Sequence, residues 1–228
     1  MYPGLAAAKP GDFYGLFEED TPLSQAKVTW YGHACFVVEL AGSSIVLDPY
    51  GACVVPGLRL PDLTADAVHV SHAHGDHSAA DCVELTGHEL NFTLREVMGH
   101  HDHEGGARRG ENRIAVLEGE GLRIVHMGDQ GCVLTQAQIE EIGQPDLLMV
   151  PVGGFCTVDT REAHHIAGQL NARVVVPMHY RDGGIGYDVI DTVDAFLEGA
   201  EHVVRSEGDS FLLERDMPAQ ILIPKLVQ

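Results

Sequence analysis

The residues most suited to chemistry lie in one short segment, Ser71-His72-Ala73-His74-Gly75-Asp76-His77. It places three imidazoles and a carboxylate within six positions, directly after the apolar run Ala67-Val68-His69-Val70. Neutral imidazole and carboxylate bind zinc and other first-row divalent metals. Alternate side chains of a strand share a face, so we expect His72 and His74 to point the same way before the chain turns at the glycine. The segment predicts ligands for two adjacent metals, and the alternative is a polar turn that happens to be rich in histidine.

One motif cannot complete such a site, and the other ligands are expected where further strands end, because α/β folds gather their chemistry there. Three residues fit this position: His101 in a glycine-rich loop, Asp129 after a glycine, and His179 after Pro-Met. Each follows an apolar run, and the alternative role for each is to form a turn. His100 and His103 compete with His101 for its role, and the residues alone do not decide between them.

Three polar residues are predicted to lie behind the ligands. Asp48 ends an apolar strand before Pro49, and a carboxylate there would orient a ligating imidazole through its free N–H. The alternative is an aspartate that only starts the turn. His33 is open in the same way, and His126 is either a satisfied buried histidine or a partner of a ligand.

The apolar pattern predicts one domain over residues 27–228, preceded by an N-terminal arm at residues 1–26 that is rich in Gly, Pro and Ala. Strands are predicted over residues 27–31, 35–40, 44–47, 67–71, 90–97, 113–117, 122–126, 147–150, 173–177, 202–205 and 210–214, and helices over residues 78–85, 135–142, 159–170 and 189–198. Asp159, with Glu162 three residues later, is typical of a helix N-terminus. This order favours an α/β domain with helices layered around two sheets.

Composition and cysteine usage favour a cytoplasmic protein. The chain has 228 residues, 45% of them hydrophobic, with no apolar run near the ~20 residues that span a bilayer. Its N-terminus lacks a basic region followed by a long apolar stretch, so we expect no secretory signal. The five cysteines are odd in number and form no Cys-x-x-Cys pair, which suits free thiols in a reducing compartment.

The formal charge of −20 limits the partners. Such a surface repels nucleic-acid backbones and anionic membranes, so neither is expected to bind. A small anionic substrate is compatible with this charge, because bound cations reverse the local field. The oligomeric state, monomer or homo-oligomer, is left open.

With these residues in place, the chain resembles the metallo-β-lactamase fold superfamily. The resemblance rests on His72-x-His74-x-Asp76-His77, followed by an isolated His, an Asp after Gly and a late His. Further motifs resemble the UlaG-like metal-dependent hydrolases: Trp30-Tyr31-Gly32-His33-Ala34, Leu47-Asp48-Pro49, Val70-Ser71-His72, His101-Asp102 with Gly106, Arg109-Gly110-x-Asn112, His126-x-Gly128-Asp129, Pro151-Val152-Gly153-Gly154 and Pro177-Met178-His179-Tyr180. The similarity covers about residues 27–215.

The resemblance implies a four-layer αββα sandwich, with two divalent metals at one edge between the sheets. It assigns His72, His74 and His101 to the first metal, Asp76, His77 and His179 to the second, and Asp129 to both as a bridge. Zinc is the metal expected first, with manganese, iron and nickel as alternatives.

The implied reaction is hydrolysis of a small ester, lactone or phosphodiester by a hydroxide that bridges the metals. Asp76 or Asp129 would orient this nucleophile and carry a proton to the leaving group. Arg109 and Tyr180 are predicted to contact the substrate, since guanidinium pairs with carboxylate or phosphate. For the Arg108-Arg109 pair, the alternative is a solvated loop.

Two other functions fit the same ligands. An iron-dependent redox protein is one, although related di-iron reductases tend to carry Glu where this chain has His74. A non-catalytic metal-binding module is the other, although every expected ligand position is filled here.

Overall fold

Strands alternate with short helices through the part of the chain that the computed structural model describes, residues 25–226. In chain order the elements are β1 (Gln25–Trp30), β2 (Phe36–Leu40), β3 (Ser43–Leu47), β4 (Leu63–Ala65), β5 (Ala67–His69), a 3-10 helix (Ala80–Cys82), β6 (Val83–Leu85), β7 (Thr93–His100), β8 (Glu111–Gly119), β9 (Leu122–His126), α1 (Gln136–Ile142), β10 (Leu147–Pro151), α2 (Thr160–Gln169), β11 (Val174–Met178), α3 (Val193–Leu197), β12 (Val203–Arg205), β13 (Ser210–Glu214) and β14 (Gln220–Ile223). Residues 1–24 of the predicted arm lie outside the described residues, and Gln25 and Ala26 begin β1.

The first sheet has the strand order β13-β1-β2-β3-β5. Its antiparallel strands are followed by one parallel pair, β3 with β5. Side chains of β3 alternate between two cores: Ile45 and Leu47 belong to the core between the sheets, and Val46 belongs to a smaller cluster on the other face. Both faces of this sheet are therefore covered, which fits the apolar run of β3.

The second sheet has the strand order β12-β14-β11-β10-β9-β8-β7. Strands β9, β10, β11 and β14 run parallel, and the long hairpin of β7 and β8 adds antiparallel strands at one edge. Every residue of β10 and β11 is buried, as expected for central strands that are covered on both faces. Helix α2 packs on β10 and α1 packs on β7.

The facing sheets share one large hydrophobic core with members such as Phe36 and Ile45 from the first sheet and Ile114 and Met149 from the second. The predicted α/β sandwich is thus the observed architecture. Within residues 25–226 the outer cover of the first sheet is built from loops, the β4–β6 pair and the 3-10 helix rather than from a long helix. No helix in this range is long and apolar enough to cross a bilayer.

Two predicted helices are wrong in part. Residues 78–85 form the 3-10 helix and β6, because Val83 pairs in register with Leu63 of β4. The helix predicted over residues 189–198 is confined to Val193–Leu197, because the backbone N–H of Asp191 is bound to the carbonyl of Gly153.

The helix predicted at 159–170 is confirmed as Thr160–Gln169. Asp159 is its N-cap and forms a capping box with Glu162. Strands β4, β6 and β14 were not predicted. Three of the five strands of the first sheet, β1, β3 and β5, end at the same edge as β7, β9 and β11 of the second sheet. The polar residues that follow these six strands meet there.

Candidate metal centre

The carboxylate of Asp129 lies at the middle of a cluster of imidazoles. Its Oδ1 atom is 3.1 Å from Nε2 of His77 and 3.3 Å from Nε2 of His179. Its Oδ2 atom is 3.3 Å from Nε2 of His101 and 3.8 Å from Nε2 of His72. Asp129 is 2% exposed. Each oxygen of one buried carboxylate therefore faces a different pair of histidines.

The donor atoms form two sets on either side of this carboxylate. One set is His72, His74 and His101, and the other is His33, Asp76, His77 and His179. Within each set the donor atoms lie within 4.8 Å of one another. All seven residues that were predicted as ligands lie in these sets or between them, and His33 joins the second set.

Several of these buried atoms lack a hydrogen-bond partner among residues 25–226. They are Nε2 of His72, Nε2 of His77, Nε2 of His179 and Oδ1 of Asp129. Burying a polar atom without a partner is costly, so such atoms call for an explanation. Imidazole nitrogens and a carboxylate aimed at common points are the donors that divalent metals take, so the side chains fit a metal pair.

Asp48 and Ser71 fix the direction of two of these imidazoles. Oδ2 of Asp48 accepts the Nδ1–H of His77 at 2.8 Å and the hydroxyl of Ser71 at 2.6 Å. Since that hydroxyl donates to Asp48, it accepts from Nδ1 of His72, 2.9 Å away. Nδ1 of both imidazoles is therefore engaged behind the site, which directs Nε2 of each ring at it. Asp48 lies behind the ligands, where the sequence placed it.

The charged groups in the cluster shift one another's pKa values. Burial opposes protonation of His77, but the carboxylates of Asp129 and Asp48 raise the pKa of His77 well above its ordinary value. Burial likewise opposes ionisation of Asp129, but His179 and His77 hold the pKa of this carboxyl well below its ordinary value. Without metal, the carboxyl group of Asp129 is therefore ionised, and its negative charge attracts cations to the cluster.

His33 lies in the turn after β1 and contacts two other members of the second donor set. Burial lowers the pKa of His33 to about 3, so the ring is neutral at neutral pH. Its Nε2 lies 3.2 Å from Oδ2 of Asp76, and its ring centroid lies 4.0 Å from that of His179. Its carbonyl accepts the backbone N–H of His179 at 3.1 Å. His33 therefore holds both a carboxylate and an imidazole in place.

The turns that carry site residues have unusual backbones. His33, Asp48 and His179 have φ values of 52°, 46° and 54°, in the left-handed region that side chains other than glycine rarely adopt. Such conformations are retained at functional sites where the surroundings enforce them. A Cβ at Gly153 would collide with the carbonyl oxygen of His179, so this glycine permits the close approach of two strand ends.

The turn before Asp129 is fixed by two buried side chains. Asn112 accepts the backbone N–H of Asp129 at 2.9 Å and donates to the carbonyl of Met127 at 2.8 Å. His126 accepts the N–H of Gly128 at 3.2 Å, and its Nε2 lies 2.8 Å from the carbonyl of Ala34. His126 therefore orients backbone, not a metal-ligating side chain. Asn112 ends the motif Arg109-Gly110-x-Asn112, and sequence reasoning assigned no role to its side chain.

Of the three neighbouring histidines, the structure brings His101 into the first donor set. It is 1% exposed, whereas the side chain of His103 is 63% exposed and lies beside Glu162. His100 ends β7. The next residue, Asp102, accepts four backbone N–H groups, those of Glu104, Gly106, Arg108 and Arg109. These bonds fix the loop that follows His101.

A cavity of about 210 Å³ opens onto the cluster. It is lined by His74, Asp76, His101, Arg109, Asp129, Cys156, His179, Tyr187 and Val189. Arg109, which was predicted to contact the substrate, is one of the residues that line this cavity. Arg108 points away and forms an exposed ion pair with Glu104 at 2.8 Å.

Tyr180 does not reach this cavity. It is 5% exposed, its ring centroid is 5.5 Å from that of Trp30, and it belongs to the hydrophobic core. The tyrosine in the cavity is Tyr187, whose hydroxyl donates to the carbonyl of Val54 at 3.1 Å. Burial, with Asp76 nearby, raises the pKa of Tyr187 to about 12. Sequence reasoning missed Tyr187 and Cys156 because both lie in irregular loops without a motif.

Comparison with known proteins identifies the family. The model of the β-lactamase superfamily domain matches residues 27–179. A UPF0173 metal-dependent hydrolase of Caldivirga maquilingensis is 30% identical over 182 residues, which cover 66% of this chain and 80% of that protein. One from Hyperthermus butylicus is 28% identical over 190 residues, which cover 67% and 82%.

The same family emerges from solved structures. A protein from Thermotoga maritima, described as a Zn-dependent hydrolase of the metallo-β-lactamase superfamily, matches with a TM-score of 0.70 at 35% identity. The match covers 87% of this chain and 98% of that one, and it confirms the predicted fold class. The chain therefore belongs to the metallo-β-lactamase superfamily and, within it, to the family of UPF0173 metal-dependent hydrolases.

Proposed function

We propose that this protein is a dinuclear metal-dependent hydrolase of a small ester, lactone or phosphodiester, similar to the UlaG-like enzymes. The observation that carries the proposal is the placement of Asp129, whose two oxygens face two separate sets of histidines. A carboxylate with one oxygen toward each set of histidines could bind two neighbouring cations at once. Two divalent cations held here, zinc first among them, would supply a shared hydroxide at neutral pH and polarise the scissile carbonyl or phosphoryl group.

The chain's own residues then divide the remaining tasks. Asp76 lines the cavity, and burial opposes its ionisation, but His33 and His77 lower its pKa below the ordinary value. As a carboxylate at neutral pH, Asp76 accepts a hydrogen bond from the attacking water and orients it. The same group lies on the path of a proton to the leaving group. Asp129 is held ionised and shares the orienting role.

Arg109 supplies the fixed positive charge of the cavity wall. Its guanidinium suits a carboxylate or phosphate of the substrate, since it forms paired hydrogen bonds with such groups. The net charge of −20 supports a small substrate over a polynucleotide. The cavity of about 210 Å³ supports the same size class. A cytoplasmic location is part of this proposal, because the thiols are free in the described structure.

The test is hydrolysis of a panel of small esters, lactones and phosphodiesters by the protein with and without zinc or manganese. Asp129→Ala and His179→Ala should abolish turnover, since each removes a donor from the cluster. His88→Ala is the matched control, because His88 is exposed and lies outside both donor sets. Full turnover after the metal has been removed by a chelator would contradict the proposal.

A further inference from the structure

Apolar side chains surround the mouth of the metal cavity. Among residues 25–226, eight large hydrophobic side chains are exposed, and three of them, Val54, Phe155 and Val189, come from three loops beside this cavity. Val189 lines the cavity itself, and Phe155 precedes Cys156, which also lines it. The carbonyl of Val54 accepts the Tyr187 hydroxyl. Exposed apolar side chains that cluster around a cavity are a mark of ligand binding.

Phe155 is the most exposed of these residues, at 70%. Its φ of 54° lies in the left-handed region, which a bulky side chain rarely adopts. The turn is fixed by the carbonyl of Gly154, which accepts the N–H of Cys156 at 2.6 Å and that of Thr157 at 3.3 Å. The loop thus holds a phenyl ring in solvent at the cavity mouth, where burial by a ligand would be favourable.

The positively charged guanidinium of Arg109 lies over the ring of Phe155. The guanidinium carbon of Arg109 is 5.7 Å from the centroid of Phe155, within the distance of a cation–π contact. No carboxylate of residues 25–226 lies within 4.0 Å of this guanidinium, and the carboxylates in the same cavity, those of Asp76 and Asp129, face the histidine cluster. The mouth therefore presents an anion-binding group and an apolar surface side by side.

We propose that the substrate is amphiphilic: a small ester or lactone with an apolar chain that packs on Phe155, Val189 and Val54, and with a carboxylate bound by Arg109. The proposal rests on the hydrolase function above and narrows it, because a wholly polar phosphodiester would leave the apolar rim in water. The guanidinium of Arg109 lies 5.7 Å from the ring of Phe155, so a single molecule can place its carboxylate on one and its apolar chain on the other.

The test measures binding, so it does not depend on turnover. Straight-chain carboxylates from acetate to octanoate, which carry the carboxylate and the apolar chain proposed for the substrate, are titrated calorimetrically into the protein with and without zinc, because a carboxylate can also bind the metal. Affinity should rise about two- to fourfold for each added methylene, since full burial of a methylene gives about fourfold. The double variant Phe155→Ser, Val189→Ser should flatten this dependence. Arg109→Gln should weaken all the carboxylates by about tenfold without changing the slope.

Leu212→Ser is the matched control, because Leu212 is exposed but lies on β13, away from the cavity. It should keep the slope of the unmodified protein. An affinity that does not change from acetate to octanoate, or a slope that survives in the double variant, would overturn the proposal. If affinity rises with chain length in the unmodified protein but no ester is hydrolysed, the binding site is upheld and the hydrolase function is contradicted.

Discussion

Oδ2 of Asp48 lies 2.8 Å from Nδ1 of His77, and both side chains are fully buried. Because a carboxylate only accepts, the imidazole donates its Nδ1–H to Asp48, and Nε2 is the atom that faces Asp129. The same carboxylate binds the backbone N–H and the hydroxyl of Ser71, which begins the histidine segment. One side chain at the end of β3 therefore fixes both the position of the segment and the orientation of a candidate ligand.

Asp48→Asn is expected to lower zinc affinity by about 10- to 100-fold. The amide can donate to Nδ1 and so favour the tautomer in which Nε2 carries the proton. Zinc titration monitored by calorimetry measures the change. Asp66→Asn provides the control, because Asp66 also binds backbone and hydroxyl groups but lies outside the donor sets. Equal affinity in the Asp48 variant and the unmodified protein would show that the contact does not orient the ligand.

Much of the candidate metal centre was predictable because its residues follow strands. His72, His74 and His77 are close in sequence and lie in the turns that follow β5, which ends at His69, so they stay near one another although they are not on a strand. Asp129 and His179 are distant in sequence, but parallel strands of one sheet end at the same edge. The candidate ligands could therefore be placed from the sequence once the strand ends were located.

The cavity wall was not predictable in the same way. Tyr180 and Tyr187 lie in one irregular segment, and which of them faces the cavity depends on contacts with distant loops, such as the bond between Tyr187 and Val54. Phe155 is exposed because a turn after β10 holds it there. Local sequence contains no periodic pattern for such loops, so side-chain direction is set by tertiary packing.

Removal of metal is expected to lower thermal stability. The buried nitrogens of His72, His77 and His179 lack partners among the described residues, and a bound cation would satisfy them. Metal at about 1,000 times its dissociation constant contributes about 4 kcal/mol, which for a chain of this size raises Tm by about 8–16 °C. Calorimetric scans with zinc and with chelator measure the shift. The same shift in His179→Ala would mean that the metal binds elsewhere.

Gly153→Ala is expected to destabilise the protein by about 1–3 kcal/mol, because the added methyl group collides with the carbonyl of His179. The displaced His179 should also bind zinc less tightly. Urea unfolding and zinc titration measure the two effects. Gly168→Ala in α2 meets no atom within 4 Å and should be neutral or stabilising. Equal stability of the two variants would show that the end of β11 moves away from the added methyl group without a loss of folding free energy.

Tyr187→Phe is expected to lower kcat/KM for a hydrolysed ester by about 10-fold, the effect of losing one ordinary hydrogen bond to the substrate. The phenol lines the cavity beside Asp76, and its single O–H would turn from the carbonyl of Val54 to donate to a substrate oxygen. Its pKa of about 12 keeps this proton in place, so the pH profiles of both proteins should have the same shape between pH 6 and 10. Steady-state kinetics across this range make the comparison.

The control for this variant is Tyr50→Phe. Tyr50 also donates its hydroxyl to a backbone carbonyl, that of Tyr31 at 2.7 Å, but it lies outside the metal cavity. Its loss should weaken folding and leave kcat/KM within about twofold, because the hydroxyl touches no reacting group. If Tyr187→Phe loses stability in the same measure and keeps its kcat/KM, then the Tyr187 hydroxyl only ties its loop to Val54 and takes no part in the reaction.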